Sequence, residues 1–226
     1  MPGEWPVFEA LFAGVHVRAI LTGMGQDHAL EAAKKFLADK PDLCISTGLA
    51  GSLRSEHCPG DILAARLISE VGEPVAVASH TELLAMAVDC GARQIECLAT
   101  SKTIVARAEQ KRQLANQAEA VEMESFAILA EAARYGVPAV AIRAVSDTLD
   151  FDMPYEFERA RDAQGQIRVM GVLSQVLRKP AGLPDLLRLT RDCRFASKCL
   201  AIFLDDYVGA MGARLIPIEQ DTVSVL

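Results

Sequence analysis

Short apolar runs and amphipathic stretches alternate over the first 150 residues of the chain. Apolar runs typical of strands lie at 15–25, 42–53, 59–69, 95–101, 120–123 and 137–147. Stretches with a helical spacing of apolar residues lie between them, at 27–40, 81–91, 106–118 and 124–136. Because most of the strands read as continuous apolar runs, we expect a sheet that helices cover on both faces. The pattern therefore predicts an α/β sandwich.

The pattern changes after Asp150. Residues 151–167 are polar and punctuated by proline and glycine, as in a loop, and two helices are predicted beyond them, at 170–179 and 183–211. Apolar residues of the second helix recur every three or four positions, at Leu186, Leu189, Cys193, Ala196, Leu200, Phe203 and Tyr207. This stripe favours packing on the helix's own domain or on a second subunit. Since arginines and a lysine lie beside it, a basic amphipathic helix over 183–208 that rests on a membrane surface is the alternative.

The chain shows no internal repeat and no linker-like stretch before residue 150. A length of 226 residues is enough for one sizeable α/β domain. We therefore expect a single domain over 1–226. Its core of sheet and helices would occupy 1–150, and a loop with a C-terminal helical extension would occupy 151–226.

The composition indicates a packed core and a small-molecule partner. Hydrophobic residues make up 51% of the chain and charged residues 23%. The net charge of -7 argues against nucleic acid as the main partner, because phosphate binding needs clustered lysine and arginine. The N-terminal segment lacks the pattern of a secretory signal, and no apolar run approaches the roughly 18 residues of a membrane span. The six cysteines form no CxxC pair, so we expect reduced thiols, no metal site and a cytoplasmic protein.

Acidic residues follow two of the predicted strands. Glu122 and Glu124 lie where a strand gives way to a helix, and Asp147 ends the next strand. One helix and one return strand separate Glu124 from Asp147, as in a βαβ unit, and the carboxyl ends of neighbouring parallel strands share one edge of a sheet. If the two strands are neighbours, the acids converge on one ligand. Alternatively, Glu124 only compensates the helix dipole and Asp147 is only a turn or cap residue.

A pair of acids at such an edge suits the cleavage of the bond between a ribose and a purine base. A carboxylic acid can deliver a proton to the departing base, and a carboxylate can hold the ribose hydroxyls and support the positive charge that develops on the sugar. Met123 offers an apolar, polarizable surface for the sugar. The strand at 42–53 is expected to end in a glycine-rich turn at 47–52, TGLAGS, whose backbone N–H groups suit a phosphate, a water or a ribose edge.

Several motifs occur in an order that resembles one enzyme superfamily. GMG before a helix, PDLCISTGLAG, PGDI, AVEMES and GVPAVAIRAVSD follow one another between residues 15 and 150. In this order they are similar to the superfamily of purine nucleoside phosphorylases and methylthioadenosine/S-adenosylhomocysteine nucleosidases, with VEMES and RAVSD as the most specific elements. The resemblance implies a three-layer α/β sandwich with a central, mostly parallel mixed sheet flanked by helices, together with C-terminal helices.

The resemblance also implies roles for individual residues. Asp147 would protonate or hydrogen-bond the leaving purine, Glu124 would bind the ribose hydroxyls, and Met123 would pack on the sugar. Glu122 would be a neighbour that shapes the site. Further expected site residues are Arg143 and Ser146 in supporting roles, Gly48, Ala50 and Gly51 beside the sugar and nucleophile, Ile104 and Val105 beside the purine, and Gly23 and Gly25 for phosphate or water.

One feature sets the chain apart from the nucleosidases of that superfamily. Their first strand carries a glutamate that activates the attacking water, and no such strand is recognisable ahead of Gly23, where Glu4 and Glu9 are the acids. Either the chain lacks its start, or the nucleophile is handled differently, or hydrolysis has been lost. The segment between Asp61 and Glu122 is also short, so we expect the loop that covers the substrate to be reduced.

The C-terminal region resembles that of the hopanoid-associated branch of the superfamily, on the motifs DAQGQI and VLSQVLRKPAGLPDLLRLTRDCRFASKCL. That branch is thought to release adenine from an adenosyl-hopane lipid intermediate.

Three functions therefore stand as hypotheses. They are cleavage of a purine nucleoside by phosphorolysis or hydrolysis, release of adenine from an adenosyl-hopane precursor, and nucleoside binding by a catalytically impaired protein.

The expected partners follow from these hypotheses. The ligand is a small-molecule nucleoside, no cofactor is expected, and phosphate would enter only as a co-substrate. Arg54, Arg143 and the turn at 23–25 are candidates to hold it. We expect a homo-oligomer, a dimer or larger, with peripheral contact to the inner membrane as an alternative to a purely cytoplasmic location.

Overall fold

Strands and helices alternate in the computed structural model, which describes residues 5–160, 162 and 168–215. The strands are β1 Val7–Phe12, β2 Val15–Ile20, β3 Cys44–Ser52, β4 Ile62–Glu70, β5 Ala76–Ala78, β6 Arg93–Thr100, β7 Ala120–Glu122 and β8 Ala139–Asp147. The helices are α1 Gln26–Leu37, α2 Thr81–Asp89, α3 Ala108–Leu114, α4 Ser125–Tyr135, α5 Val169–Arg178 and α6 Leu183–Leu215. Every predicted strand and helix is present, and β1 and β5 are additional. The predicted loop at 151–167 extends beyond the described residues.

The central sheet is mixed and closes on itself. Its strands follow the order β5-β4-β6-β7-β3-β8, and β8 also pairs with β4. Most of the paired residues lie in the parallel ladders β3–β8, β4–β6 and β6–β7. Because α4 packs on one face of β8 and α6 on the other, all of its residues are buried, which accounts for its nearly unbroken apolar sequence. The predicted α/β fold with a central mixed sheet flanked by helices is confirmed.

The strands that carry the acids are not neighbours, so the condition under which the sequence had the two acids converge is not met. β3 lies between β7 and β8, and Gly51 of β3 pairs with Val121 on one side and with Asp147 on the other. The reason is that the short strand β7 extends the ladder of β6, whereas the chain returns from α4 to the far side of β3. The strand that leads to Glu122 and Glu124 and the strand that ends at Asp147 therefore lie on opposite sides of β3 and are not adjacent.

The segment TGLAGS is also not a turn, as the sequence had led us to expect, but the second half of β3. Its glycines are explained by close packing against side chains of β8. A Cβ atom on Gly48 would lie 3.3 Å from Arg143 Nη1, and one on Gly51 would lie 3.0 Å from Asp147 Oδ2. The small residues therefore let two charged side chains of β8, Arg143 and Asp147, cross over β3.

β1 and β2 form an antiparallel hairpin that pairs with none of the other strands in the described part of the chain. All six residues of β1 are exposed, so the sequence carries no buried face that would have predicted the strand. Glu9 lies in β1, and its Oε1 accepts a hydrogen bond from Arg18 Nε of β2 at 2.7 Å. Glu4 lies outside the described residues.

The long helix α6 packs its apolar stripe on the sheet of the same chain. The stripe joins a hydrophobic cluster with Val140 and Ile142 of β8. Its buried members are Ala196, Leu200, Phe203 and Tyr207. The hydroxyl of Tyr207 donates to the carbonyl oxygen of Leu83 in α2 at 2.7 Å. The predicted packing of this helix on its own domain is therefore confirmed.

Candidate active site

Two buried ionic clusters form where side chains of β8 cross β3, and the first contains Glu122 and Arg143. Arg143 Nη2 donates to Glu122 Oε2 at 2.6 Å and also contacts the hydroxyls of Ser46 at 3.2 Å and Ser125 at 2.9 Å. Arg143 is 2% exposed and Glu122 is 5% exposed. An ion pair this deep keeps its charges only because several hydrogen bonds replace the lost water. Both side chains are thus committed to each other and to their immediate neighbours.

The remaining contacts of Glu122 hold the start of α4. Its Oε2 accepts hydrogen bonds from the backbone N–H groups of Glu124 at 2.9 Å and Ser125 at 2.8 Å, and its Oε1 accepts one from the Thr100 hydroxyl. Burial alone would raise the pKa of Glu122, but the charge of Arg143 and these hydrogen bonds hold that pKa below its ordinary value. Glu122 is therefore an ionised residue whose contacts fix the position of its neighbours.

Glu124 is directed toward the turn that precedes α1. Its Oε1 accepts a hydrogen bond from the Gly25 N–H at 2.7 Å. Gly25 has a φ of 104°, a conformation that favours glycine. Burial, and next the charge of Glu122, raise the pKa of Glu124 above its ordinary value. The structure thus brings together Glu124 and Gly25, two residues that the sequence assigned to neighbouring parts of one ligand.

The second cluster surrounds Asp147 at the end of β8. The Ser146 hydroxyl donates to Asp147 Oδ1 at 2.6 Å and lies 3.2 Å from the carbonyl oxygen of Ala50. Lys111 Nζ donates to the other carboxylate oxygen, Oδ2. Gly51 faces the same carboxyl group. Each oxygen of Asp147 therefore has a donor from the protein, and the carboxyl group is fixed in orientation.

Lys111 is a site residue that sequence reasoning missed. It lies in α3 and is fully buried, and its Nζ also donates to the carbonyl oxygens of Thr148 at 2.7 Å and Phe151 at 3.4 Å. The surrounding sequence, AEQKRQ, looks like the solvated surface of a helix, so no pattern marked this lysine as buried. Lys111 joins α3 to Asp147 and to the segment that follows β8.

Asp147 lines a small pocket between the end of β8 and α6. The pocket has a volume of about 10 Å³ and is lined by Pro59, Ser146, Asp147, Thr148, Phe151, Arg188, Leu189 and Asp192. A cleft of about 270 Å³ adjoins it and is also lined by Thr148, Phe151 and Arg188. Ligand pockets usually have volumes of about 300 Å³ or more, so a nucleoside requires the two spaces to merge.

One wall of this pocket belongs to α6. The guanidinium of Arg188 lies 5.7 Å from the centre of the Phe151 ring, and its Nε is 3.6 Å from Asp192 Oδ2. Burial, and next the charge of Asp147, raise the pKa of Cys193 to about 11, so its thiol is neutral at physiological pH. The C-terminal extension thus contributes side chains directly beside the candidate acid, which the sequence did not predict.

The two residues expected beside the purine lie farther along the chain from β6. The backbone N–H of Ile104 donates to Glu158 Oε2 at 3.4 Å. Val105 packs against a hydrophobic cluster that contains Leu53 and Val121. Neither residue lines the pocket beside Asp147.

Three other expected site residues, Met123, Gly23 and Arg54, do not line the pocket beside Asp147. Met123 lies between Glu122 and Glu124 in the chain, and its side chain is buried. Gly23 has a φ of 76° in the turn before α1. Arg54, a candidate for phosphate, donates from Nη1 to the carbonyl oxygen of Ala115 at 2.6 Å.

The described residues contain no group of three or more histidine, cysteine or acidic side chains arranged to hold a metal ion. All six cysteines are free thiols. In the part of the chain that the structure describes, no helix combines the length and the apolar character needed to cross a bilayer.

Three solved structures illustrate what the chain is similar to. The S-adenosylhomocysteine nucleosidase from Streptococcus pyogenes matches with a TM-score of 0.70 and 18% identity, over 92% of this chain and 84% of that chain. The 5′-methylthioadenosine/S-adenosylhomocysteine nucleosidase from Neisseria meningitidis matches with a TM-score of 0.68 and 20% identity, over 91% and 86%. Futalosine hydrolase of Helicobacter pylori matches with a TM-score of 0.63 and 16% identity, over 89% and 84%. At these identities, the likeness shows a shared fold.

The family is shown by the sequence itself. A family model described as the phosphorylase superfamily matches residues 2–178, which is more than half of the chain. The match confirms the predicted superfamily and, with it, the prediction of an enzyme. The chain belongs to the phosphorylase superfamily.

Proposed function

We propose that the protein cleaves the N-glycosidic bond of a purine nucleoside with an adenine-type base. The observation that carries this proposal is the placement of Asp147, which is held in one orientation at the end of β8 and lines the pocket beside α6. Membership of the phosphorylase superfamily and the fold shared with nucleosidases support the same chemistry.

In the proposed reaction, Asp147 faces the departing base. When the bond between the sugar carbon C1′ and the purine nitrogen N9 breaks, its electron pair moves onto the purine, which needs a proton to leave as a neutral molecule. The 2.6 Å hydrogen bond from Ser146 orients the carboxyl group before the substrate binds. An acid that is already oriented does not have to reorganise during the reaction.

Glu124 is proposed to bind the ribose hydroxyls. Glu122 is saturated by its ion pair and by three further donors, whereas Glu124 accepts a hydrogen bond from the backbone of Gly25. A carboxylate has room for about four hydrogen bonds, so ribose hydroxyls can join that backbone donor. Its negative charge would then support the positive charge that develops on the sugar. Met123, next in the chain, is proposed to pack on the sugar.

The contacts of the candidate phosphate ligands favour water as the nucleophile. Arg143 is held in its buried ion pair, and Arg54 donates to a backbone carbonyl oxygen. The Gly25 N–H donates a hydrogen bond to the Glu124 carboxylate. Phosphate would have to displace such partners to gain the charge-assisted hydrogen bonds that it requires. We therefore propose hydrolysis, with phosphorolysis as the other outcome of the same assay.

The test is an assay for free base. The purified protein is incubated with adenosine, methylthioadenosine or S-adenosylhomocysteine, with and without phosphate, and adenine is quantified by chromatography. We expect adenine without added phosphate and the free sugar as the second product. Formation of a sugar 1-phosphate would replace hydrolysis by phosphorolysis, and the absence of adenine from all three substrates would contradict the proposal.

A second candidate function is nucleoside binding without turnover. The observation that favours it is the small space of about 10 Å³ beside Asp147, which a purine can enter only if the surrounding residues move. Calorimetric titration with the same three nucleosides distinguishes the candidates. Binding without release of adenine would support a binding protein, and turnover would exclude it.

A more specific form of the proposal is that the substrate is a nucleoside with a lipid tail, such as an adenosyl-hopane precursor. It is supported by exposed apolar and basic side chains of the C-terminal helices. The exposed large apolar residues are Val169, Met170, Leu173 and Leu177 in α5 and Leu183, Leu187, Phe195 and Ile202 in α6. Arg191, Arg194 and Lys198 of α6 are also exposed. Such a surface is suited to an anionic bilayer, so we propose peripheral membrane contact through 183–208 together with α5. Assembly into a homo-oligomer stays a prediction.

A further inference from the structure

We propose that Lys111 stores the proton that Asp147 passes to the departing base. The inference rests on the proposed cleavage of a nucleoside and assigns a role to a residue outside the superfamily motifs identified in the sequence. Lys111 would act through Asp147 without touching the substrate. The acid of the site would then be the pair of side chains, with Asp147 as the part that faces the ligand.

The first observation is that Asp147 has the contacts of an ionised carboxylate. Lys111 Nζ donates to its Oδ2, and the Ser146 hydroxyl donates to its Oδ1 at 2.6 Å. While Lys111 is a charged ammonium group, a protonated carboxyl group would present an O–H to one of these donors and lose a hydrogen bond. The arrangement therefore places the exchangeable proton on Lys111, while the departing base requires it on Asp147.

The second observation concerns the three N–H bonds of the lysine ammonium group. Their acceptors are Asp147 Oδ2, the Thr148 carbonyl oxygen at 2.7 Å and the Phe151 carbonyl oxygen at 3.4 Å. A neutral amine keeps two N–H donors and gains a lone pair. After transfer of one proton, the two carbonyl oxygens keep their donors, and the lone pair accepts the new O–H of Asp147. The same geometry therefore satisfies both protonation states.

The third observation is burial. The side chain of Lys111 is 0% exposed, and that of Asp147 is 5% exposed. In such surroundings, the loss of hydration disfavours both charged groups, although their mutual attraction stabilises the pair. Because the contact is closed off from water, a proton that leaves Lys111 has the Asp147 carboxylate as its basic partner.

Atoms and electrons balance in the proposed step. The C1′–N9 bond breaks, and its electron pair goes to the purine, which takes the proton of the Asp147 carboxyl group. That proton comes from Lys111, which is left as a neutral amine. The water that attacks C1′ forms the new C–O bond and loses a proton to solvent, and a solvent proton restores the ammonium group. The net change is nucleoside and water to sugar and free base.

The alternative is that Lys111 only orients Asp147 and holds the segment after β8. The variant Lys111→Arg separates the two roles, because arginine keeps the positive charge and the donors but does not release a proton in proteins. Lys111→Met removes both the charge and the proton. Each variant is assayed with adenosine and with a riboside whose leaving group is p-nitrophenolate, an anion that departs without a proton.

If Lys111 supplies the proton, both variants lose about 100-fold or more in kcat with adenosine and stay within about threefold of the unsubstituted protein with the p-nitrophenyl riboside. A Lys111→Arg variant with normal kcat on adenosine overturns the inference. Equal losses on both substrates also overturn it, because they indicate a structural role. Thermal unfolding and nucleoside affinity are measured in parallel, so that misfolding is recognised. If the unsubstituted protein cleaves neither substrate, the proposed function itself is wrong and the inference falls with it.

Discussion

The two buried ion pairs beside β3 have similar partners but different surroundings. Glu122 and Arg143 are enclosed by hydroxyl and backbone groups, and the cation is an arginine that stays charged. Asp147 and Lys111 lie where β8 ends, Asp147 lines a pocket, and the cation is a lysine that can become neutral. Burial alone therefore does not distinguish a structural ion pair from a reactive one. In the proposed mechanism, the reactive pair is marked by access to a pocket and by a cation that can release a proton.

The largest effect on stability is expected from removing one charge of the enclosed pair. In Glu122→Gln the buried charge of Arg143 loses its partner, and we expect the free energy of unfolding to fall by about 3–5 kcal/mol. Urea unfolding followed by circular dichroism measures the change. The matched control is Glu96→Gln, which breaks the exposed pair with Arg66 and is expected to cost far less, because water screens that pair. Equal losses in the two variants would contradict the structural role of Glu122.

The sequence predicted the parts of this comparison that depend on local pattern. The helical periodicity of α4 and α6 follows from the burial of one face of each helix, and the apolar run of β8 follows from the burial of both faces of the strand. Both patterns are visible in residues that lie close together in the sequence. Asp147 and Glu124 were found because they follow predicted strands. These features can be predicted without knowing which strands pair.

The parts that depend on distant contacts could not be predicted. In the chain, β7, α4 and nearly all of β8 lie between Lys111 and Asp147, and no pattern in the helix of Lys111 indicates that it is buried. The position of β3 between β7 and β8 is likewise a matter of pairing between remote segments. The glycines of β3 resemble a turn in sequence, although Gly48 and Gly51 are required by the approach of side chains from β8.

A smaller effect, on activity instead of stability, is expected at the glutamate beside the enclosed pair. Glu124→Gln should lower kcat/KM for nucleosides by about 10- to 100-fold, since a hydrogen bond to a charged group contributes about 1.5–3 kcal/mol. Steady-state assays of adenine release measure this. Glu131→Gln, in the same helix, is the control and should leave kcat/KM unchanged. Normal kinetics in Glu124→Gln would remove Glu124 from the ribose site.

The two glutamates should also respond to pH with opposite sign. The pKa of Glu124 is raised, so it destabilises the folded protein as pH rises above the ordinary range of a glutamate, about 4.3. Glu124→Gln should therefore increase the free energy of unfolding near pH 7 and have little effect near pH 4. The pKa of Glu122 is lowered, so its contribution is present above that range and is lost as pH falls. Urea unfolding between about pH 3 and pH 8 measures both variants, because the contribution of Glu122 is lost only below the ordinary range of a glutamate.

A pH dependence of the same sign in the Glu122 and Glu124 variants would contradict this assignment. The contrast is informative because the two residues are separated in the chain by Met123 alone. Any general effect of losing a glutamate would act equally on both.

The smallest effect is expected at the surface of α6. Replacing Arg191, Arg194 and Lys198 by glutamate should weaken binding to anionic vesicles, since each basic residue near such a surface contributes about 1 kcal/mol. Sedimentation with vesicles of mixed phosphatidylcholine and phosphatidylserine measures the bound fraction. The control replaces Lys34 and Lys35 of α1 and should bind normally. If the unsubstituted protein does not sediment with the vesicles, the proposed membrane contact is wrong.

The central claim is that Asp147 serves a reaction and not only the fold, and a comparison of the unsubstituted protein with Asp147→Asn tests it most directly. The substitution preserves volume but removes the group that can pass on a proton. Adenine release is measured with saturating substrate, and nucleoside affinity and thermal unfolding are measured on the same samples. We predict that release falls by a factor of about 100 to 10,000 while the variant stays folded and still binds nucleoside. Release at the unsubstituted rate by a folded Asp147→Asn variant would contradict the account.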